Sequence, residues 1–427
     1  MYIKIISIIL TFFSTLLLSE RVYTTYTDDL SSYMLSASPI PYQDTINITP
    51  KYEINDETSS SLNLYAKAAC LMDADSGRIL YSSNSDETRA MASTTKIMTC
   101  ILALECAKPD TIVTVSSRAA SMPDVQLNIC SGEKYYLKDL LYSLMLESHN
   151  DTAVAIAESI GDSVEGFASL MNDKATSLNL RNTHFVTPNG LDADGHYTTA
   201  ADLCRLTAYA IKNKKFLEII STPSYSFSEI DGKRKCNVYN RDSFLTMYKG
   251  AIGVKTGFTG DAGYCFAGAA KRNDITLVSS VLASGWPPNK SYKWTDTKSL
   301  MNYGFDNYKM HELLSGTYSS ASENAFLTPV CIQDNLKRTY GYKKCIQIAF
   351  EASKKMLLKN GDTVYLKFDI PSYISIPIKK NEKIGTATLF INDEPADLYP
   401  IVSCETVNTI TYDGLITKLF NTYTLKR

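Results

Sequence analysis

Ser93 and Lys96 are the first residues of the chain whose types and spacing suit nucleophilic chemistry. A separation of three residues places a hydroxyl and an amine one turn apart on the same helix face. The segment 97–107 that follows is almost entirely apolar, so we expect a helix that is buried nearly all round. Burial lowers the pKa of a lysine, which would let Lys96 act as the general base for Ser93. Backbone amides at the helix start also favour negative charge developing near Ser93.

The S-x-x-K pattern is weakly specific by itself, because it occurs again at Ser131–Lys134. There Gly132 lies inside the pattern and no buried helix follows directly, which predicts a turn. A structural interpretation of the first pattern also stays open. In that interpretation Ser93 is a helix cap and Lys96 is a surface amine whose stem covers apolar groups.

Ser148 and Asn150 form an S-x-N pattern between two segments of helical apolar period. Loops held by rigid elements are common places for functional residues, so we take this loop as the second candidate. The alternative is a helix cap, in which Asn150 or Asp151 accepts from the first backbone amides of the second helix.

Lys255, Thr256 and Gly257 form the chain's one K-[ST]-G sequence, at the end of a strand-like run. Lys255 and Gly257 are expected to face one side of the strand and Thr256 the other. A lysine here offers a point charge for a carboxylate, and we expect Gly257 to let a substrate backbone approach closely. The alternative is an exposed strand end with a solvated lysine. No phosphate-binding loop precedes it.

The surrounding patterns predict an α+β fold, because helices lie between a first hairpin and a later antiparallel meander. One sheet would then be built from both ends of this region. The predicted strands of that sheet are 68–72, 78–81, 250–258, 263–270 and 275–283, and the predicted helices between them include 137–148, 151–160 and 201–212. The segment 318–408 predicts a small all-β domain, with strands at 343–352, 363–368, 375–379 and 385–391.

The two ends of the chain predict export. Lys4 and the uncharged segment 5–18 resemble a secretory signal peptide or an N-terminal anchor within residues 1–21. Residues 22–62 are rich in Ser, Thr, Tyr, Asp and Pro without a sustained period, and predict an extended linker. Residues 409–427 predict an amphipathic, basic tail that lies on a membrane surface, or a terminus packed on its own domain. We expect an extracytoplasmic protein on the outer face of the cell membrane.

Composition excludes other classes of function. The net charge is -2 and no basic stripe is present, so we expect no nucleic-acid partner. The four histidines lack the spacing of a zinc pair and no G-x-S-x-G elbow occurs, so we expect no metal or cofactor. The ten cysteines form no C-x-x-C pair, and we expect buried thiols instead of a disulfide framework.

The order S-x-x-K, S-x-N, K-T-G resembles the signature of active-site serine penicillin-binding proteins and β-lactamases. Longer segments extend the resemblance to low-molecular-mass, penicillin-binding serine D-alanyl-D-alanine carboxypeptidases. Those segments are 68–105, 187–192 with 195–197, 253–272 and 377–407. The resemblance implies a β-lactamase/transpeptidase-like catalytic domain over 63–310, with an antiparallel sheet flanked by helices, and a β-rich C-terminal domain over 318–408.

The resemblance also implies a role for each residue of the first two motifs. Ser93 would attack the carbonyl between two terminal D-alanines, forming an acyl-enzyme and releasing D-alanine before water hydrolyses the ester. Lys96 would take the proton of Ser93. Ser148 would relay a proton to the leaving amine, and Asn150 would hold Lys96 and the substrate amide. His149 stands where the family commonly has a small residue, and we expect its side chain to face away.

For the third motif, the resemblance implies substrate binding by Lys255, Thr256 and Gly257. Lys255 and Thr256 would hold the terminal carboxylate, and the charge of Lys255 would help to keep Lys96 neutral. The backbone amides of Ser93 and Phe258 would form the oxyanion hole. The implied partners are peptidoglycan stem peptides ending in D-Ala-D-Ala, and β-lactams. A β-lactamase and a penicillin-binding sensor without turnover stay open, and released D-alanine distinguishes the carboxypeptidase from both.

Overall fold

The structure is a computed structural model that describes residues 45–49, 62–123, 125–322, 326–332, 345–408, 416 and 420. The predicted signal segment 1–21 and most of the predicted linker and tail lie outside the described residues. No helix within the described ranges is both long and apolar enough to cross a membrane. The chain divides into two compact units, one of Glu53–His311 with Met356–Asn360, the other of Met1–Tyr52, Glu312–Lys355 and Gly361–Arg427.

The helices are α1 Lys96–Cys106, α2 Ser117–Ala120, α3 Leu137–Leu146, α4 Asn150–Gly161, α5 Val164–Ser177, α6 Ala200–Ala210, α7 Lys214–Ser221, α8 Phe244–Met247 and α9 Tyr292–Asn307. The strands are β1 Thr45–Asn47, β2 Ala68–Asp73, β3 Ile79–Ser83, β4 Ile112–Thr114, β5 Lys134–Tyr136, β6 Ser224–Ser228, β7 Lys235–Tyr239, β8 Ala251–Thr259, β9 Gly263–Arg272, β10 Ile275–Leu282, β11 Tyr308–Ser319, β12 Val330–Ile332, β13 Cys345–Ile346, β14 Ile348–Lys359, β15 Val364–Asp369, β16 Tyr373–Ile374, β17 Lys383–Ile391 and β18 Glu394–Ser403.

The main sheet of the first unit has the strand order β3-β2-β10-β9-β8, and all its pairs are antiparallel. It is built from both ends of the region, as predicted. β9 and β10 are joined by a tight turn in which Asn273 takes a positive φ of 52°, a conformation that asparagine tolerates well. Side chains alternate between the two faces of the sheet along β10. Leu277 therefore packs against α9 on one face, and Ser280 donates to the Ala200 carbonyl of α6 on the other.

Helix α1 is buried over its first two turns. Every side chain from Lys96 to Ala103 is buried, and exposure begins only at Leu104, near the C-terminus of the helix. The expected helix that is buried nearly all round is therefore present. Its apolar face packs in one continuous core with α3, α4, α5 and α7, and this packing fixes the helix that carries Lys96.

The second unit holds a six-stranded sheet of order β1-β15-β17-β18-β14-β11. Its core contains Phe350, Leu366, Leu389 and Ile401, each almost without solvent exposure. Alternate side chains along β15 are buried, the pattern of a sheet with one covered face.

Three details of this second unit differ from the sequence predictions. Thr45–Asn47 pairs antiparallel with β15, so it belongs to the sheet and not to a linker. The strand predicted at 375–379 is wrong: the strand is β16, and Ile378 makes only an isolated bridge to Val407. Pro377 explains the difference, since proline has no N–H to donate to a ladder. β11 and β18 are strands that the sequence patterns did not predict.

The cysteines follow the expectation of burial only in part. Cys106 and Cys130 are exposed, and the half-buried Cys331 and Cys345 face each other across β12 and β13 with their Sγ atoms 3.2 Å apart. Cys404 is also half-buried. The buried cysteines are Cys70, Cys100, Cys204, Cys236 and Cys265.

Candidate active site

Ser93 lies in a single 3₁₀ turn, Ala92–Thr95, that leads directly into α1. Ala92 takes a positive φ of 48°, an unusual conformation for alanine and one found mostly where the surrounding structure imposes it. The Ser93 side chain makes no capping hydrogen bond to the helix. This excludes the helix-cap interpretation of Ser93.

Lys96 is completely buried, and three oxygen atoms surround its amine. Nζ lies 2.9 Å from Ser93 Oγ, 2.8 Å from Asn150 Oδ1 and 2.6 Å from the backbone oxygen of Asn189. The surface-amine interpretation is therefore excluded. Two of the three partners are carbonyl oxygens, which only accept hydrogen bonds. If the amine is neutral, these two carbonyl oxygens accept hydrogen bonds from its two N–H groups. The lone pair of the nitrogen then points at the Ser93 hydroxyl.

Electrostatics favour that neutral form. Burial holds the pKa of Lys96 well below its ordinary value, and the positive charge of Lys255 lowers it further. The Asp151 carboxylate acts in the opposite direction. Loss of solvation dominates, because the side chain has no contact with solvent.

Asn189 is a functional residue that none of the three motifs contains. It belongs to the loop 187–192, one of the segments that carry the family resemblance. The Thr99 hydroxyl of α1 donates to the Pro188 carbonyl over 2.6 Å, and this bond holds the loop against the helix. At Gly190, with φ of 81°, a Cβ atom would lie 2.0 Å from the Ala92 oxygen. Only glycine lets the loop bring the Asn189 carbonyl to Lys96.

Thr95 and His196 tie the other side of the same loop to the 3₁₀ turn. Thr95 Oγ1 donates to the Ala92 carbonyl and lies 2.8 Å from His196 Nε2. His196 Nδ1 in turn accepts from the Val186 amide. Burial lowers the pKa of His196 to about 4, so the ring is neutral at physiological pH. The ring then donates from Nε2, because Nδ1 is an acceptor.

Ser148 is placed at the start of α4 with its hydroxyl group aimed into the interior. The residue has a positive φ of 71°, in the left-handed region that is costly for a serine. Its Oγ atom is buried, and no group in the described part of the chain forms a hydrogen bond with it. A buried hydroxyl without a partner is rare in native proteins and suits a group that bonds to substrate.

The residues beside Ser148 hold the loop in place. Asn150 Nδ2 donates to the Pro123 carbonyl, while its Oδ1 accepts from Lys96. The Asp151 carboxylate accepts from the backbone amides of Leu127, Ile129 and Thr152. His149 faces away from Lys96, since its Nδ1 atom lies 2.8 Å from Ser143 Oγ in α3.

Lys255 is a buried cation on the edge strand β8. Its side chain is 2% exposed, and Nζ donates to the Thr256 carbonyl over 3.0 Å. Burial lowers its pKa to about 8, and the negative charge of Asp242 works against that shift. The solvated lysine of the alternative interpretation is therefore excluded. Lys255 keeps donor capacity for an anion, because an ammonium group has three N–H donors.

Gly257 lets the turn that carries Ser93 pack closely against β8. A Cβ atom there would lie 3.0 Å from the Ser93 amide nitrogen and 3.1 Å from the Met91 oxygen. The space on this face of β8 is therefore filled by residues 91–93, and the approach of a substrate backbone along the strand stays a prediction. The close approach sets the Ser93 amide beside the strand that carries the Phe258 amide. The side chain of Phe258 is exposed.

The second S-x-x-K pattern is a turn, as predicted. Ser131 and Gly132 are exposed in the turn before β5, and Lys134 is an exposed residue of that strand. Within the described residues, no three His, Cys, Asp or Glu side chains cluster in a way that would hold a metal ion.

Comparisons with known proteins agree on one family. A family model described as D-alanyl-D-alanine carboxypeptidase matches residues 55–285. The chain is 31% identical over 355 residues to D-alanyl-D-alanine carboxypeptidase DacF of Bacillus subtilis, covering 81% of this chain and 87% of that protein. It is 33% identical over 278 residues to a D-alanyl-D-alanine carboxypeptidase of Streptomyces strain K15, covering 61% and 92%.

Solved structures show the same fold. The Streptomyces K15 DD-transpeptidase aligns with a TM-score of 0.55 and 33% identity, over 58% of this chain and 99% of that chain. Penicillin-binding protein 5 of Haemophilus influenzae aligns with a TM-score of 0.65 and 24% identity, over 82% of this chain and all of that chain. The β-lactamase/transpeptidase-like fold class expected from the sequence is confirmed.

Proposed function

Because the chain belongs to the D-alanyl-D-alanine carboxypeptidase family of serine-type hydrolases, we propose that Ser93 is the nucleophile that removes the terminal D-alanine from peptidoglycan stem peptides. The observation that carries this assignment is the contact between Lys96 Nζ and Ser93 Oγ, inside a site whose burial and charge favour the neutral amine. The second S-x-x-K serine, Ser131, is exposed in a turn and has no comparable surroundings.

Acylation begins with proton transfer from Ser93 Oγ to Lys96 Nζ. Asn150 and Asn189 hold the two N–H groups of the neutral amine, so its lone pair is already directed at the hydroxyl. Oγ attacks the carbonyl carbon between the two D-alanines, and the carbonyl oxygen becomes an oxyanion. The C–N bond then breaks, and Ser148 relays the proton held by Lys96 to the leaving amine. D-alanine departs, and Lys96 is neutral again.

The substrate is oriented by its terminal carboxylate. Lys255 supplies the positive charge and Thr256 a hydroxyl group, so the penultimate carbonyl is directed to Ser93. The amides of Ser93 and Phe258 stabilise the oxyanion, a contribution that reaches about 3–4 kcal/mol per donor in other acyl-transfer enzymes. Water then hydrolyses the acyl-enzyme, with the Lys96 amine again as the base.

A β-lactam ring opens on the same serine in this account. The test is mass spectrometry of the protein after incubation with benzylpenicillin, followed by peptide mapping of the added mass. We expect one adduct, on the peptide that contains Ser93, in the wild type and in Ser131→Ala. An adduct on any other serine, or one that persists in Ser93→Ala, would contradict the assignment.

A β-lactamase function is less well supported by the geometry. Fast hydrolysis of a penicilloyl ester needs a dedicated carboxylate that activates water. Asp151 is the carboxylate whose charge acts on Lys96, and both of its oxygen atoms already accept from backbone amides. We therefore expect slow release of the penicilloyl group and turnover with D-Ala-D-Ala peptides.

The proposed location is the outer face of the cell membrane. The uncharged segment after Lys4 supports export, and the proposed substrate, the stem peptide of peptidoglycan, is part of the cell wall. In the tail, Ile416 and Phe420 lie in helical conformation on the exposed side, one turn apart. Co-sedimentation with anionic lipid vesicles tests this surface binding. The full ectodomain should sediment, and a chain ending at residue 408 should not.

A further inference from the structure

Asp242 is a buried carboxyl group that the proposed reaction does not use. It lies just before α8, where its Oδ1 atom accepts from the Phe244 amide over 2.9 Å. The other oxygen, Oδ2, is buried and has no hydrogen-bond partner among the residues that the structure describes. An unsatisfied oxygen of this kind is costly, so its presence calls for an explanation.

Asp242 Oδ2 lies against β8, the strand that carries Lys255. Oδ2 is 3.5 Å from the position that a Cβ atom of Gly253 would occupy, with the Ile220 side chain at the same distance from that position. Gly253 and Lys255 are two residues apart on β8, without a bulge between them. Side chains at that spacing face the same side of a strand, so Asp242 and Lys255 share one face of β8.

Asp242 and Lys255 do not form a direct ion pair in the described part of the chain. Within the described part of the chain, Lys255 Nζ has one hydrogen-bond partner, the Thr256 carbonyl, and Asp242 Oδ2 has none. A buried carboxylate nevertheless acts over several ångströms, because little water lies between to screen it. It therefore favours the protonated form of Lys255 and leaves the remaining N–H donors of that amine for another anion.

We propose that Asp242 is a positioning residue for the reaction, a buried counter-charge on the same face of β8 as Lys255 that keeps Lys255 protonated for binding the substrate's terminal carboxylate. This inference rests on the function proposed above. It assigns a role to a group that touches neither the substrate nor Ser93 and acts only through Lys255.

The charges around the two groups give a working pH range. Burial raises the pKa of Asp242 to about 6, with Lys255 and Lys293 acting to lower it. Burial lowers the pKa of Lys255 to about 8, and Asp242 raises it. Both groups are therefore charged between about pH 6 and pH 8. On the other side of the site, Lys255 acts on Lys96 and on His149, and lowers the pKa of each.

Removal of the Asp242 charge has a defined sign. In Asp242→Asn the pKa of Lys255 falls further below 8, so Lys255 loses its proton at a lower pH than in the wild type. The alkaline limb of kcat/KM then moves to lower pH. The pH profile becomes narrower on its alkaline side.

The experiment measures D-alanine release by Asp242→Asn, which keeps the size of the side chain and the Oδ1 acceptor for Phe244. We expect the ratio of wild-type to variant kcat/KM to be near one at pH 6.5 and to rise to about tenfold at pH 9, mainly through KM, for a pKa shift of about one unit. A C-terminally amidated D-Ala-D-Ala peptide, which lacks the carboxylate, should show no such rise. Asp306→Asn, on the exposed end of α9, is the matched control and should follow the wild type.

A ratio of wild-type to variant kcat/KM that is constant across pH would overturn the proposal, because a purely structural defect lowers activity equally at every pH. A ratio that is the same for the peptide with a free carboxylate and for the amidated peptide would overturn it too. An unchanged variant would overturn it as well. Thermal unfolding separates these outcomes from misfolding, because a variant that folds like the wild type should unfold in one cooperative transition. Absence of D-alanine release by the wild type would instead contradict the proposed function.

Discussion

Lys96 Nζ lies 2.9 Å from Ser93 Oγ while two carbonyl oxygens, Asn150 Oδ1 and the Asn189 backbone, take its other hydrogen bonds. One contact comes from the same helical turn, one from the start of α4 and one from a loop about ninety residues downstream. The base is therefore directed by three separate parts of the chain. Its reactivity depends on burial and on the neighbouring charge of Lys255.

Replacement of the base should stop acylation without unfolding the protein. We expect Lys96→Ala to lower kcat/KM about 10²- to 10⁴-fold, the usual contribution of a general base, and to slow acylation by benzylpenicillin equally. Steady-state D-alanine release and the acylation rate measure both effects. Lys134→Ala, in the second S-x-x-K pattern, is the control and should behave as the wild type. Equal losses in the two variants would contradict the assignment of Lys96.

A methyl group at Gly257 should disturb the nucleophile. In Gly257→Ala the new Cβ atom lies 3.0 Å from the Ser93 amide and pushes the 3₁₀ turn away from β8. We expect a loss of about ten- to a hundredfold in kcat, since small misplacements of reacting groups have effects of this size. Gly260→Ala, where no atom lies within 4 Å of the added Cβ, should keep full activity. Wild-type kcat in Gly257→Ala would mean that the contact does not position Ser93.

The Asn189 loop should depend on Gly190 for stability. In Gly190→Ala the Cβ atom would lie 2.0 Å from the Ala92 oxygen, at φ of 81°. The strain and the clash together should lower the free energy of unfolding by about 2–4 kcal/mol. Gly195→Ala has a nearly equal φ of 80° but its closest contact is 3.7 Å, so it should cost only about 1 kcal/mol. Urea unfolding compares the two, and equal losses would refute the packing argument.

The pH profile of kcat/KM should be bell-shaped, with its alkaline limb near pH 8. That limb corresponds to Lys255, whose pKa is lowered to about 8, because loss of its proton removes the charge that binds the substrate carboxylate. The acid limb corresponds to protonation of Lys96, whose pKa is held well below its ordinary value. In Lys255→Arg the alkaline limb should disappear below pH 10, because an arginine does not lose its proton in that range. An alkaline limb that stays near pH 8 in Lys255→Arg would assign it to another group.

Cys331 and Cys345 should cross-link under mild oxidation. They are direct partners in an antiparallel pair, at a spacing that a disulfide bond accepts, and their Sγ atoms are 3.2 Å apart. Diamide accepts the two hydrogens that the thiols lose as the S–S bond forms. We expect a mass decrease of about 2 Da on a peptide pair containing both residues, while the exposed Cys106 stays open to alkylation. Alkylation of all three after diamide treatment would contradict the pairing.

Much of this architecture is predictable from local patterns. The apolar run after Lys96 predicts a buried helix, and the strand pattern before Lys255 predicts the position of β8, because each depends on a contiguous sequence with a clear period. The motif residues could be named for the same reason. Family resemblance then supplies their roles, which spacing alone leaves open.

The remaining features depend on contacts between distant segments, and no local pattern encodes them. A backbone carbonyl such as that of Asn189 has no sequence signature, because every residue carries one. The function of Gly257 depends on which backbone packs beside it. Thr45–Asn47 is too short a strand to show a period, and Asp242 belongs to no motif that marks it as a neighbour of Lys255.

D-alanine release from a diacyl-Lys-D-Ala-D-Ala peptide, with the wild-type ectodomain beside Ser93→Ala, tests the central claim most directly. The account predicts turnover by the wild type and none above background by the folded variant. Turnover that survives in Ser93→Ala would show that another residue is the nucleophile. No turnover by a folded wild type would contradict the carboxypeptidase account itself.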